Sequence, residues 1–301
     1  MWEGTAMVKG KAQLMFIIAM LIFGSIGLFI KAISLPSAVI VLIRTVIGSL
    51  FLFAVLLLRQ QPINIKNILP NLPILAASGF VLGGSWAFLF EAYRYTTVSA
   101  ATLIYYCAPI VVLLLSPIVL KEKLTLGKTA GIGAAVLGMV IVNGMGIGGA
   151  NPALGLTCGI VSAFLYAALM MLNKFIRNLS GLESTLSQLV IAALVMTIYV
   201  LLTHEGIGGF ISRSDMFLLV TVGLFHTGIA CYLYFSSLQE LSGQTIALLS
   251  YIDPVSALLF SAVLLNEKLM AIQLVGALLI LIGTAFGQLY QADKHVKDNA
   301  I

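Results

Sequence analysis

The sequence predicts an all-α integral membrane protein of ten transmembrane helices, built as two inverted five-helix repeats. Three observations predict it: ten apolar runs long enough to cross a bilayer, a one-sided distribution of lysine and arginine, and a segment that recurs at a fixed distance along the chain.

The composition makes an aqueous fold untenable. Of the 301 residues 60% are hydrophobic and 9% charged, and the mean hydropathy is +1.10. A soluble domain carries roughly 25% charged residues because its surface faces water. Here most of the surface must face hydrocarbon. The net charge of +5 does not indicate nucleic acid, since the basic residues stand singly at the ends of apolar runs, as cytoplasmic loops arrange them. Cys107, Cys158 and Cys231 lie inside apolar runs without CxxC spacing. They read as small buried hydrophobes, not as a disulfide framework or a metal site.

A helix needs about 20 apolar residues to cross the hydrocarbon core. Such runs fall at 12–32, 37–58, 71–93, 97–119, 129–147, 154–174, 184–203, 215–236, 244–265 and 271–290. The first follows Lys9 and Lys11. It is longer than a signal-peptide core and no small-residue cleavage site follows it, so it is kept as a helix. Frequent Gly, Ala and Ser within the runs suit helices that pack closely in lipid. The connections are too short to hold an aqueous catalytic domain.

Orientation follows from the basic residues. With both termini on one side, that side collects Lys9, Lys11, Arg59, Lys66, Lys121, Lys123, Lys128, Lys174, Arg177, Lys294 and Lys297. The other side has Lys31, Arg94, Arg213 and Lys268. This bias places both termini in the cytoplasm.

The repeat is legible residue by residue. SAATLIYYCAPIVVLLLSPIVLKEKL at 99–124 recurs as QTIALLSYIDPVSALLFSAVLLNEKL at 244–269, an offset of 145. Tyr106, Pro109, Ser116, Glu122 and Lys123 meet identical residues, and Gly83, Phe90, Gly131 and Gly138 meet Gly228, Phe235, Gly276 and Gly283. With the offset shifted to 143, Phe23 meets Tyr166 and Lys31 meets Lys174; at 144, LIRTVIG at 42–48 meets LSQLVIA at 186–192. The halves are 12–147 and 154–290, with five helices each. An odd number turns the second copy upside down in the membrane. Inverted repeats are the architecture of secondary transporters, with a site where the halves meet.

Pro109 through Glu122-Lys123-Leu124 with Gly131 and Gly138, copied as Pro254 through Glu267-Lys268-Leu269 with Gly276 and Gly283, resembles the end of an EamA domain twice over. Arg44 stands where that family often places an arginine in its second helix. The resemblance, to the EamA branch of the drug/metabolite transporter superfamily, covers nearly the whole chain. It implies export of amino acids, other metabolites or drug-like molecules, often against protons, through a cavity formed mainly by helices 1, 3, 4, 6, 8 and 9.

An ionisable group inside a bilayer asks for a partner or a water-filled cavity. Four stand out: Arg44, Glu91, His226 and Asp253. Asp253 precedes Pro254, which loosens its turn. With Ser250 and Ser256 it makes a polar stripe on an apolar helix. It reads as a proton-coupling residue or as an acid locked to a neighbouring helix, with His226 a relay or partner for it, or a packing residue. Arg44 and Glu91, near the outer ends of helices 2 and 3, are expected to pair as a gate; Arg94, one turn on, is the other partner open to Glu91.

Cavity-lining candidates follow from spacing and aromatic chemistry. Ser162, Tyr166 and Asn173 share one face of helix 6. Trp86, Tyr105, Tyr106, Tyr232, Tyr234 and Tyr251 offer walls for an amphipathic or cationic ligand, and Gln188 occupies the place of Arg44 in the second half. Nothing resembles HExxH, GxSxG or a P-loop, so neither catalysis, a cofactor nor ATP hydrolysis is expected. The expected partners are a small-molecule substrate, protons and the lipid bilayer, the chain acting as monomer or homodimer. A flippase for a lipid-linked carrier is the alternative within transport, and a membrane enzyme or receptor the alternative outside it.

Overall fold

The computed structural model describes residues 2–60, 64–96, 101, 104–121, 125–143, 151–204 and 211–264, with 271–272, 275–276, 278–283 and 286. Glu122, Lys123, Glu267, Lys268, Lys294 and Lys297, on which the repeat and topology readings draw, lie outside the described residues.

Every regular element among the described residues is helical. In order they are α1 (Trp2–Lys31), α2 (Ser37–Leu58), α3 (Ile65–Tyr95), α4 (Ala108–Val119), α5 (Leu126–Asn143), α6 (Pro152–Leu172) and α7 (Gly181–Thr203). Then come α8 (Arg213–Thr221), a π segment (Val222–Ile229), α9 (Ala230–Leu238), α10 (Gly243–Leu249) and α11 (Ile252–Leu264). Helical residues follow between 271 and 286. Among the described residues six helical stretches are long and apolar enough to cross a membrane: Gly10–Ile30, Ser37–Leu58, Ile65–Tyr95, Ala153–Phe175, Gly181–Thr203 and Arg213–Leu238. The chain is a multi-pass integral membrane protein.

Four expected elements are redrawn. The first and third helices begin earlier than their apolar runs, at Trp2 and Ile65, because backbone hydrogen bonds close equally well on polar residues outside the hydrocarbon. The runs at 97–119 and 244–265 are not continuous helices. Turns at Tyr106–Cys107 and Ser250–Tyr251 divide them, just before Pro109 and Pro254. Each proline lacks an N–H and its ring clashes with the carbonyl four residues back. At the second break Asp253 N–H donates instead to the Ser250 carbonyl at 3.3 Å.

Packing is reciprocal between the halves. α3 lies against α6 as α9 lies against α1; α7 lies against α3 as α2 lies against the π segment; α4 lies against α6 as α11 lies against α1. Single contacts repeat this. The Arg177 N–H donates to the Asn71 side chain at 3.1 Å, and Ser34 N–H to the Asp215 carboxylate at 3.3 Å. A Cβ on Gly79 would come 2.5 Å from Ile191, and one on Gly223 2.5 Å from Ile47. Gly138 lies against the Gly276 carbonyl, and a Cβ on Gly283 would come 2.7 Å from the Gly131 carbonyl. Those four glycines pair crosswise, so α5 and the helical residues that carry Gly276 and Gly283 run antiparallel. Only residues without a side chain allow backbones this close.

Candidate functional site

Between the halves lies a cavity of about 380 Å³. Its walls come from α1 (Phe23, Gly27), α2 (Arg44), α3 (Trp86, Leu89, Tyr93), Tyr105 and Tyr106 before α4, α6 (Tyr166), α9 (Tyr234) and α11 (Asp253). The breaks before Pro109 and Pro254 are what bring Tyr106 and Asp253 to it.

Arg44 is buried, 1% exposed. Its Nε donates to Thr227 Oγ1 at 2.9 Å, and its guanidinium carbon lies 3.9 Å above the Trp86 ring. No carboxylate among the described residues reaches it, since the one ion pair there joins Glu91 to Arg94 at 3.1 Å. The expected Arg44–Glu91 pair is therefore corrected. Glu91 is three residues from Arg94 on the same helix and partly exposed, so it meets that cation at no cost in desolvation. Arg44 instead faces an aromatic ring and the cavity.

The aromatic walls form a continuous column. Tyr105 stacks on Tyr166 with centroids 4.7 Å apart and 8° between planes. The Tyr234 hydroxyl donates to the Tyr166 hydroxyl at 3.1 Å, and Phe16 and Phe23 pack on the Tyr234 ring. Tyr106 and Asp253 line the same cavity beside this column. The column supplies apolar faces and hydroxyl edges together, which suits an amphipathic ligand.

Other expected residues lie outside the cavity lining. Ser162 Oγ donates to the Ser85 carbonyl at 2.7 Å, tying α6 to α3. Asn173 and Gln188 exchange amide hydrogen bonds of 3.1 and 3.0 Å. Ser250 bonds back to Ile246 at 2.8 Å, as buried serines in helices do. Tyr251 is buried with its hydroxyl on the Tyr106 carbonyl, and Tyr232 packs at the edge of the main core. His226 is bonded through Nε2 to Ser25 Oγ at 2.9 Å and packed on Phe29, so it serves the α1 contact and does not pair with Asp253. Sequence reasoning missed Phe23, Leu89, Tyr93 and Thr227. The first three are apolar or aromatic residues among many, and Thr227 carries no signal except its place beside His226.

The family model described as the EamA-like transporter family matches residues 10–144 and again 153–286. The chain belongs to this family. Relatives named as transporters agree. A transporter of Bacillus subtilis (strain 168), YxxF, itself uncharacterized, is 30% identical over 280 residues, 92% of this chain and 89% of its own. A probable amino-acid metabolite efflux pump of Salmonella typhimurium is 29% identical over 234 residues, 71% of this chain and 76% of its own. A solved crystal structure superposes with a TM-score of 0.82 over 93% of this chain and 98% of that one, at 19% identity, a likeness of fold. This EamA-like chain is thus a transporter of small metabolites by family, and its relatives' names point away from an enzyme.

Proposed function

We propose that the chain is a secondary-active exporter of small zwitterionic metabolites, amino acids among them, working by alternating access and exchanging protons. One observation carries the reading: a buried cation without an acidic partner among the described residues, Arg44, and a half-buried acid, Asp253, line one cavity whose walls are tyrosines and apolar side chains. An unpaired guanidinium inside a membrane is costly. A ligand carboxylate would relieve that cost through paired N–H donors. An ammonium group would be met by Asp253 and the tyrosine faces, and an apolar side chain by Phe23, Leu89 and Trp86.

Reciprocal, antiparallel packing supports two inverted halves rocking about this cavity. The same inversion, with ten spans and both termini in the cytoplasm of a cell membrane, accounts for the lysine and arginine distribution. The names of the efflux-pump relatives support amino-acid derivatives as cargo.

Counterflow in sealed proteoliposomes tests the reading. Radiolabelled amino acids should exchange, and their decarboxylated amines should not. Arg44→Met should abolish exchange of the acids. Equal exchange of acids and amines, or none of either, would rule out carboxylate recognition at Arg44.

A further inference from the structure

The halves differ by one residue at a place where their surroundings repeat. Upstream of it, Asn71, Leu75 and Gly79 correspond to Asp215, Leu219 and Gly223 at an offset of 144. Their contacts correspond too: Asn71 with Arg177 as Asp215 with Ser34, and Gly79 with Ile191 as Gly223 with Ile47. Downstream, Gly83 and Phe90 correspond to Gly228 and Phe235 at 145. The second half therefore holds Leu224, Phe225, His226 and Thr227 where the first holds Phe80, Val81 and Leu82. The added residue is taken up as the π segment Val222–Ile229. Single π turns of this kind arise inside α-helices and gather at functional sites.

The insertion changes what the helix presents to α2. In the first half the interval is wholly apolar. In the second it supplies Thr227, buried, whose hydroxyl donates to the Val222 carbonyl at 3.1 Å and accepts from Arg44 Nε at 2.9 Å. Gly48 on α2 makes room, since a Cβ there would come 2.8 Å from the Thr227 methyl. Gln188, in Arg44's place in the second half, is held by Asn173 and Ser184 instead. The donor to Val222 leaves the Thr227 oxygen lone pairs aimed at Nε, so the bond fixes one edge of the guanidinium. Its terminal nitrogens make no hydrogen bond to any described residue.

We propose that Thr227 is a positioning residue for Arg44: the inserted residue turns its hydroxyl onto Nε, holds the guanidinium flat on Trp86, and leaves the terminal nitrogens to an anionic group in the cavity. The proposal rests on the reading of Arg44 as the anion-recognising group, and its test needs no substrate.

The chain has two tryptophans, so Trp2→Phe leaves Trp86 as the sole reporter. On that background Thr227→Val and Thr227→Ala remove the acceptor, Thr227→Ser keeps it, and Arg44→Met sets the emission of Trp86 without its cation. Phenylglyoxal modification of Arg44, followed by peptide mass, reads how firmly the guanidinium is held. A lost hydrogen bond of about 1 kcal/mol corresponds to about a fivefold rise in rate. That rise is expected for Val and Ala and not for Ser, with Trp86 emission moving toward the Arg44→Met value. Val and Ala variants that elute as folded monodisperse protein, yet react at the wild-type rate, overturn the proposal whatever the emission does. If the rate rises as expected while counterflow shows no preference for carboxylates, Thr227 positions Arg44 and the substrate reading fails by itself.

Discussion

The Tyr251 hydroxyl donates a 3.4 Å hydrogen bond to the carbonyl oxygen of Tyr106, the residue that stands in its own place 145 positions earlier. Equivalent residues meet where an axis of internal symmetry passes between them. Both stand at the proline-induced breaks, so the axis runs close to the cavity. The bond itself is one-sided, because one half gives a hydroxyl and the other a carbonyl.

That axis predicts a second gate. At one end the Tyr166 and Tyr234 hydroxyls meet at 3.1 Å, and the Lys174 ammonium donates to the Leu238, Gln239 and Leu241 carbonyls. The residues in the places of Tyr166 and Tyr234 are Phe23 and Leu89, which line the cavity. In the alternate conformation they should meet. Cysteines at 23 and 89, on a cysteine-free background, are expected to form a disulfide that stops transport until reduced. Failure to cross-link, where cysteines at 166 and 234 do so, would show that the halves do not exchange shapes.

Crossed glycine packing predicts a steep size limit. Gly283→Leu should destabilise by about 1–3 kcal/mol, since the added atoms run into the Gly131 backbone. Gly133→Leu should stay within about 0.5 kcal/mol, because nothing lies within 4 Å of its Cβ position. Thermal unfolding in detergent reads both, and equal losses would mean that the antiparallel contact does not govern stability.

Arg44 and Glu91 should behave as independent residues. Glu91 is engaged by Arg94 and Arg44 by Thr227 and Trp86. Arg44→Gln and Glu91→Gln should therefore add within about 0.5 kcal/mol when combined, with Arg44→Gln the more costly of the two. A double variant much milder than the sum would indicate a direct pair after all.

Asp253 carries the prediction about coupling. If protons drive export, Asp253→Asn should abolish uphill flux yet preserve exchange at equal concentrations, because the amide mimics one protonation state. His226→Ala should disturb packing on Ser25 and Phe29 and leave coupling intact. Full proton-driven flux in the Asp253→Asn protein would move coupling elsewhere.

Topology is open to impermeant thiol reagents. A single cysteine at Lys123 should be protected in intact cells and one at Lys268 labelled. Labelling at 123 from outside would contradict the inverted arrangement.

The sequence alone determined the membrane class, the repeat and the family resemblance, and it named Arg44, Trp86, Tyr105, Tyr106, Tyr166 and Asp253, all of which line the cavity. Those features are local or periodic: apolar run length, basic residues at run ends, prolines and glycines at one offset. Partner choice is not local. Glu91 had two basic candidates, and only the tertiary structure decided for Arg94, because burial decides whether a charge keeps its neighbour or faces a ring. The tertiary structure likewise decided that Ser162, Asn173, Ser250 and Tyr251 spend their polar atoms, and His226 its Nε2, on neighbouring helices and on their own backbone, since a membrane interior leaves no water to satisfy them. The π turn was written in the sequence as a slip from 144 to 145, yet its meaning waited on seeing which side chain lay across from Thr227.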